Sequence, residues 1–475
     1  MRPKRLAAGA ALLVALAGVA VTRRQEDDPP QVTRAIGRTV LTTVDADMVA
    51  VDDTTAHAFA VDSADNTVSL LDTRTGRLLR TVAVGKGPNS VVVDARHHRA
   101  FVVNSVDGTV SVLDTARGSV LRTVPVGSGP VAMVADPLAA RVFVVCTGSR
   151  DSDGDDGVVA VLDARDGRLV RMAQVGLTPS AIALDPRHGR AYVAAAIPNT
   201  SSLGELHTLD EASGRVLRAT PVGQDPAPVI TPDALAVAAR LGRAFVINGG
   251  SNSVSMIDTG SGAVLRSTMV GLSPAGLAVD EQTRRVFVTN AGSATISVLD
   301  ARSGALLRTA SIGQNPVATA VDVRAGRVFA LDGSGLTVLD ARSGAIIGRL
   351  AVGRNPTALA IDDAPRPGAP GGRVLVTAMG AADSAARPLG PGALTVLDAR
   401  TGSVLRSITI GAGPGTMAVD ERTGIAVVLN TGGTLTVRDG LAWIPLGIRR
   451  LAPMLLRPAR TITEPASVSI VDPSR

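Results

Sequence analysis

The residues best suited to chemistry are three aspartates in one short segment. Asp151, Asp153 and Asp155 stand at alternate positions in SRDSDGDDG. Alternate carboxylates suit a hard cation such as Ca²⁺, which prefers oxygen ligands. The segment departs from the EF-hand pattern, because Gly157 comes one position late and the twelfth position is Leu162. The sequence therefore predicts either a Ca²⁺ site or a solvated acidic hairpin here.

A second segment, LAWIPLGIRRLAPMLLRPAR at 441–460, combines apolar and basic residues. It contains the only tryptophan, Trp443, and the adjacent arginines Arg449 and Arg450. Such a mixture is typical of a segment that docks on a protein partner or contacts a membrane surface. Three prolines argue against one continuous helix. The alternative is an insertion that packs against its own domain.

Enzyme signatures are few. The histidines fall in different parts of the chain without metal-ligand spacing, and we expect each of them at the surface. They are His57, His97, His98, His188 and His207. The single cysteine, Cys146, stands in the apolar run RVFVVC, which predicts a buried, unreactive thiol. No nucleophile elbow or phosphate-binding loop is present.

The net charge of +6 comes almost wholly from arginine, because Lys4 and Lys86 are the only lysines. These arginines are dispersed through turn sequences, whereas a nucleic-acid site usually needs clustered charge. Aromatic residues, on which single-stranded nucleic acids stack, make up 2% of the chain. Nucleic acid is therefore an unfavourable partner.

Residues 1–30 resemble a targeting segment. A basic start, MRPKR, precedes the apolar run from Leu6 to Val21, which has the length of a secretory signal peptide. Arg23 and Arg24 follow directly, and such charges leave an uncleaved membrane anchor open as the alternative. We expect residues 31–475 to work as one domain outside the cytoplasm, in the periplasm, at the cell surface or secreted.

That domain is built from an internal repeat. An Asp at the end of an LD-type dipeptide is followed by Gly four residues later, Gly thirteen residues later and Pro sixteen residues later. The repeated aspartates are Asp72, Asp114, Asp163, Asp210, Asp258, Asp300, Asp340 and Asp398. Residues such as VSVLD before the Asp alternate as a strand does, and Asp-x-x-x-Gly predicts a hairpin turn. An Asp or Arg that recurs in every such turn is structural.

Each unit of roughly 42 residues predicts a four-stranded antiparallel meander, the size of a propeller blade. The fold class is therefore all-β, a closed β-propeller. Counting from Met48 gives nine units, with eight blades the alternative. The segment from Gly37 to Val44 resembles a missing fourth strand, so we expect an N-terminal strand to close the ring. A closed ring favours a monomer.

The second strands of the units carry a recognisable motif. They read FVVN at 101–104, FVIN at 245–248, FVTN at 287–290 and VVLN at 427–430. With the neighbouring VSVLD strands and VG-x-x-P junctions, residues 37–475 resemble the YVTN-repeat β-propeller family, which includes YncE-like exported proteins. The resemblance implies a WD40-like propeller, and relatives include surface-layer modules, binding proteins and lactonase-like or quinoprotein-associated domains.

Length variation predicts where the propeller binds. The insertions at 149–157, 195–206, 380–392 and 432–466 all fall between second and third strands and should share one face, whereas 363–372 points to the other. Variable loops on a rigid frame commonly carry binding. We expect a binding or scaffolding module for a protein or cell-envelope polymer, without a cofactor except Ca²⁺. The alternative is a lactonase-like or quinoprotein-related enzyme that acts at the channel mouth.

Overall fold

The computed structural model describes residues 48–148, 157–196, 203–224, 234–316, 318–362, 372–380, 391–420, 422–430, 433–437, 460–464 and 467–473. These residues form a ring of nine small antiparallel sheets, here called blades, and one further two-stranded hairpin. The only described helix is a single 3₁₀ turn, Ala239–Leu241. The all-β propeller predicted from the sequence is confirmed, with nine blades rather than eight.

Blades 1 to 8 each have four strands that pair in chain order. Blades 1 to 4 comprise β1 (Met48–Asp52), β2 (His57–Asp62), β3 (Thr67–Asp72), β4 (Leu78–Ala83), β5 (Pro88–Asp94), β6 (Arg99–Asn104), β7 (Thr109–Asp114), β8 (Val120–Pro125), β9 (Pro130–Asp136), β10 (Arg141–Cys146), β11 (Val158–Asp163), β12 (Leu169–Gln174), β13 (Leu177–Asp185), β14 (Arg190–Ala196), β15 (Leu203–Asp210) and β16 (Val216–Gln224). Blades 5 to 8 comprise β17 (Leu235–Ala238), β18 (Arg243–Asn248), β19 (Ser253–Asp258), β20 (Val264–Met269), β21 (Pro274–Asp280), β22 (Arg285–Asn290), β23 (Thr295–Asp300), β24 (Leu306–Ser311), β25 (Ala318–Asp322), β26 (Arg327–Asp332), β27 (Gly335–Asp340), β28 (Ile346–Leu350), β29 (Pro356–Asp362), β30 (Arg373–Ala378), β31 (Pro391–Asp398) and β32 (Val404–Ala412).

Blade 9 has three described strands, β33 (Pro414–Val419), β34 (Ala426–Asn430) and β37 (Ser467–Val471). Between β34 and β37, the chain forms a separate hairpin from β35 (Gly433–Val437) and β36 (Arg460–Glu464). The segment 37–44, expected to be the fourth strand of this blade, lies outside the described residues. Its role in closure stays a prediction.

The ring is closed by packing between blades 1 and 9. The first strand of every blade contacts the first strands of both neighbours, including β1 with β33, so these strands form the inner circle. Val49 and Ala60 of blade 1 share a buried cluster with Val427 and Ile470 of blade 9. Burial of such apolar surface contributes about 25 cal/mol per Å², and it leaves no open gap in the described ring.

The repeated Asp builds the turn between third and fourth strands as predicted. In blade 1, Oδ1 of Asp72 accepts hydrogen bonds from the backbone amides of Arg74 at 2.9 Å and Thr75 at 2.8 Å. The amide of Gly76 donates to the Asp72 carbonyl at 2.8 Å, and the φ of Gly76 is 71°. A positive φ favours glycine, which explains its recurrence at this position. The strand pairing shifts by one residue at Leu70 and Leu71.

An arginine at the start of the second strand links neighbouring blades. In blade 3, Nη1 of Arg141 lies 3.0 Å from Oδ2 of Asp163, and its Nε donates to the carbonyl of Ala212 in blade 4 at 2.8 Å. Arg285 repeats this arrangement with Asp300 at 3.1 Å and the carbonyl of Arg342 at 3.0 Å. The arginine that begins the second strand is therefore structural in these blades, and so is the turn Asp that it contacts.

The Asn of the FVVN motif fits against the glycine of the preceding junction. Nδ2 of Asn104 donates to Thr109 at 2.9 Å and Ser111 at 3.0 Å, which fixes the tight turn between the second and third strands. A Cβ added to Gly85 would lie 2.7 Å from Cγ of Asn104. Gly85 does not have a left-handed backbone, so backbone conformation does not explain the glycine. The close approach of Asn104 does.

Candidate binding faces

The connections between strands divide the ring into two faces. Because the strands of a meander alternate in direction, the first-to-second and third-to-fourth turns share one end of the blade, here called the turn face. The second-to-third connections and the junctions between blades share the opposite end, the loop face. The long connections β10–β11, β14–β15, β30–β31 and β34–β37 all belong to the loop face, as predicted. The β29–β30 connection belongs to the turn face.

The length of the connection after the second strand correlates with the residue that ends that strand. Short connections follow Asp62, Asn104, Asn248, Asn290 and Asp332. In blades 3, 4 and 8 this position holds Cys146, Ala195 or Ala378, which cannot fix the tight turn, and a long connection follows. Blade 9 is the exception, because Nδ2 of Asn430 donates to Ser469 at 2.9 Å and yet the longest insertion follows.

The two functional segments predicted from the sequence lie mostly outside the described residues. Asp151, Asp153 and Asp155 belong to an undescribed part of the β10–β11 connection, so the Ca²⁺ site stays a prediction. Trp443, Arg449 and Arg450 belong to an undescribed segment that the paired strands β35 and β36 bracket. Elsewhere, no cluster of three or more His, Cys, Asp or Glu side chains in the described residues could hold a metal ion. In the same described part, no helix is long and apolar enough to cross a membrane.

Buried carboxylates end the inner strands on the turn face. Oδ1 of Asp52 accepts from the amide of Thr54 at 3.0 Å, and Oδ1 of Asp280 accepts from the amide of Gln282 at 2.8 Å. Comparable buried aspartates end the first strands of most other blades: Asp94, Asp136, Asp185, Asp322, Asp362 and Asp420. In most of these residues Oδ1 accepts turn amides, and Oδ2 of Asp94 and of Asp185 lies 2.7 Å and 2.8 Å from Nδ1 of His97 and His188. These carboxylates therefore help to fix the turns of this face.

The thiol prediction is confirmed, and the histidine prediction is wrong at one position. Cys146 is fully buried, its Sγ lies 3.2 Å from the carbonyl of Val126, and burial raises its pKa to about 12. His207 is also buried, on the third strand of blade 4. Its Nε2 lies 3.3 Å from Oε2 of Glu205, and desolvation by burial lowers its pKa.

Blade 4 departs from the repeat at the place where His207 lies. Its second strand has Ala195 where blade 2 has Asn104, and His207 replaces the small hydroxyl residue that receives the Asn hydrogen bond. Glu205 stands where blade 2 has Thr109. Ala195, Glu205 and His207 therefore replace the Asn, Thr and Ser of the repeat. The sequence signal was this break in a repeated pattern.

A second departure in blade 4 is the pair formed by Glu211 and Asp136. Glu211 occupies a repeat position that holds Thr or Ala in other blades, and it is buried against blade 3. Desolvation, together with the hydrogen bond and negative charge of Asp136, raises the pKa of Glu211 to about 9. Desolvation also acts to raise the pKa of Asp136, but hydrogen bonds from Glu211 and two turn amides outweigh it and lower that pKa. At neutral pH, Glu211 therefore stays protonated beside the ionised Asp136 carboxylate.

The turn face carries a large set of exposed arginines. The sequence disperses them, but the turns that contain them meet at one end of the ring. These turn-face arginines are Arg74, Arg77, Arg96, Arg117, Arg165, Arg168, Arg187, Arg215, Arg240, Arg284, Arg302, Arg324, Arg342, Arg400 and Arg422. In the described turns of this face, Asp166 is exposed and pairs with Arg168 at 3.3 Å, and Asp210 and Glu281 are partly exposed. The arginines that the sequence disperses among turns therefore lie at one end of the blades, spread around the ring.

Taken together, the nine-bladed ring, the turn-closing Asp and Gly and the Asn-to-Gly junctions define a repeat β-propeller. The YNCE-like beta-propeller family model matches residues 35–366, and the chain belongs to this family. The FVVN, FVIN and FVTN strands that suggested the family lie within the matched region. No curated protein matches the chain.

Solved structures share the fold at low sequence identity. Dihydro-heme d1 dehydrogenase NirN, solved in complex with DHE, is 17% identical, with a TM-score of 0.54 over 82% of this chain and 81% of NirN. BamB from Moraxella catarrhalis is 14% identical, with a TM-score of 0.50 over 79% of this chain and 99% of BamB. At this identity the two likenesses concern the fold alone.

Proposed function

We propose that this protein is an exported β-propeller that binds or scaffolds a protein partner or cell-envelope polymer through its loop face. The observation that carries the proposal is the placement of four long connections on that face, while the third-to-fourth turns keep a constant length. One long connection, β29–β30, lies on the turn face, so length variation is concentrated on the loop face. Loops of variable length on a rigid scaffold are common binding elements.

The proposed docking segment is 441–460, which includes Trp443, Arg449 and Arg450. Strands β35 and β36 pair from Gly433 with Glu464 to Val437 with Arg460, so the segment begins and ends at one hairpin. Tryptophan and arginine are enriched at the energetic centres of protein interfaces. Export is proposed from the apolar run between Leu6 and Val21, and Asp151, Asp153 and Asp155 would add a Ca²⁺ site on the same face.

The lysine distribution allows a direct test in the native host. Lys86 is exposed in the junction between blades 1 and 2, on the loop face, and Lys4 is the other lysine of the chain. An amine-reactive crosslinker applied to intact envelopes should therefore capture the partner through Lys86. The variant Arg324→Lys, which adds a primary amine to the turn face, is the matched control. Mass spectrometry identifies which lysine carries the link.

A partner linked to Lys86 in both proteins, and not to the position of the Arg324→Lys substitution, supports the loop face. Replacement of 441–460 by a short Gly-Ser linker should reduce capture at least tenfold, whereas the same replacement of 364–371, in the turn-face insertion, should not. Links confined to the Arg324→Lys site would contradict the proposal. Turnover of simple lactones by the purified chain would favour the enzymatic alternative instead.

A further inference from the structure

We propose that the turn face binds the surface of an anionic lipid bilayer. This proposal concerns the opposite side of the ring from the loop face and does not depend on the proposed partner. Three observations support it. They are the charge of the described turns, the exposed apolar side chains of these turns, and the burial of the aromatic residues in the strands.

Charge is the first property. The first-to-second turns lie next to the inner circle of strands and carry exposed arginines at Arg96, Arg187, Arg240, Arg284 and Arg324. The aspartates that begin these turns are buried, except in blade 5, where Ala238 takes the place. The exposed arginines outnumber the partly exposed carboxylates of these described turns, Asp53 and Glu281. Nε of Arg240 lies 3.5 Å from Oε2 of Glu281. Arginine side chains bind phosphate groups well, because their planar donors can form paired hydrogen bonds.

Exposed apolar side chains are the second property. Leu138 is 73% exposed and Val323 is 45% exposed, and both occupy first-to-second turns on the same face as the arginines. The amide of Leu138 donates to Oδ1 of Asp136 at 2.7 Å, which holds the turn with the leucine directed outward. A basic surface with protruding aliphatic residues is typical of proteins that bind at a bilayer interface.

The burial of aromatic residues argues against single-stranded nucleic acid as the anion. All six phenylalanines and the single tyrosine are fully buried between blades: Phe59, Phe101, Phe143, Phe245, Phe287, Phe329 and Tyr192. Single-stranded nucleic acid is usually held by bases that stack on exposed aromatic rings. The described turn face has no such rings. Its arginines also spread around an entire ring, which matches a plane better than a narrow groove.

The test compares two double variants that remove the same charge from opposite faces. Arg187→Gln with Arg324→Gln alters the turn face, and Lys86→Gln with Arg354→Gln alters the loop face. The chain from Val32 to Arg475 is one compact unit, so it can be used without the apolar N-terminal segment. Co-sedimentation with phosphatidylcholine vesicles, with and without phosphatidylglycerol, measures the partition coefficient.

The wild-type chain should bind only vesicles that contain phosphatidylglycerol, and rising NaCl should release it. The turn-face variant should bind roughly 25-fold more weakly, as expected for the loss of two interfacial arginines. The loop-face variant should change by less than about twofold. Equal losses in both variants, or binding independent of phosphatidylglycerol, would overturn the proposal. Binding to a single-stranded oligonucleotide but not to vesicles would identify nucleic acid instead.

Discussion

Arg373 and Asp362 form a buried ion pair within blade 8. Nη2 of Arg373 lies 2.6 Å from Oδ2 of Asp362, and the two side chains are 3% and 1% exposed. The same nitrogen donates to the carbonyl of Gly424 in blade 9 at 3.1 Å. In blade 6 the equivalent arginine, Arg285, instead pairs with the partly exposed Asp300. Blade 8 therefore joins the last blade through a desolvated charge pair.

Removal of this buried arginine should destabilise the protein far more than removal of its counterpart. Arg373→Ala leaves the Asp362 carboxylate buried without its cation, which costs about 3–5 kcal/mol. Arg285→Ala breaks a partly exposed pair and should cost about 1 kcal/mol or less for the ion pair itself. Urea unfolding followed by circular dichroism measures both values. Equal midpoints for the two variants would show that burial of the pair contributes nothing.

Substitution of the junction glycine Gly85, which an Asn faces, should destabilise the protein. Substitution of a glycine with open space around it should not. In Gly85→Ala, the new methyl would lie 2.7 Å from Cγ of Asn104, and we expect a loss of about 1–3 kcal/mol from overpacking. Gly348→Ala, in the fourth strand of blade 7, is the matched control, because nothing lies within 4 Å of the position that its Cβ would take. The control should be neutral or slightly stabilising.

A double substitution at Gly85 and Asn104 provides an internal check. Asn104→Ala removes the atoms that the new methyl of Gly85→Ala would meet, so the double variant should lose less stability than the sum of the two single losses. Strict additivity in thermal unfolding would show that Gly85 is required for a reason other than its contact with Asn104.

The repeat could be predicted from the sequence because its key residues act locally. Asp72 and Gly76 build one hairpin within five consecutive residues, so their spacing alone specifies the turn. The second-strand motif that ends in Asn104 likewise marks a tight connection. Blade order and the placement of long connections then follow from the meander. Nothing in this inference needs contacts between distant parts of the chain.

The surroundings of Glu211 and His207 could not be predicted from the sequence. The partner of Glu211 belongs to another blade, and His207 lies where blade 4 departs from the repeat. Glu211 keeps its proton because burial desolvates it and because Asp136 of the preceding blade lies close to it. His207 is buried at the position of Ser111, in the blade where Ala195 stands in place of the Asn. Each of these features depends on three-dimensional packing rather than on local spacing.

Glu211 should make stability fall as the pH rises. Its pKa of about 9 in the folded protein exceeds the ordinary value of 4.5, so the folded state holds a proton that the unfolded state releases. The stabilisation is complete below about pH 4.5 and is lost progressively as the pH approaches 9, by at most about 1.4 kcal/mol per pH unit. Glu211→Gln keeps a hydrogen-bond donor and cannot ionise.

The measurement is the free energy of unfolding of wild type and Glu211→Gln across this range of pH. The variant should gain stability relative to wild type with each step toward alkaline pH. Asp136→Asn removes the charge that opposes ionisation of Glu211 and should flatten the wild-type profile in the same direction. Parallel profiles for wild type and Glu211→Gln would show that Glu211 is ionised in the folded protein.

His207 should have the opposite effect, because acid should weaken the fold through it. Burial lowers its pKa below the ordinary value of 6.5, so the unfolded state takes up a proton first as the pH falls. The triple variant Ala195→Asn, Glu205→Thr and His207→Ser restores the Asn, Thr and Ser arrangement that blade 2 holds at Asn104. We expect its melting temperature to decline less than that of wild type on acidification below about pH 6.5. The single variant His207→Gln separates loss of the titrating ring from repair of the repeat, and it should also decline less. Equal declines in all three proteins would mean that His207 is protonated in the fold as readily as in the unfolded chain.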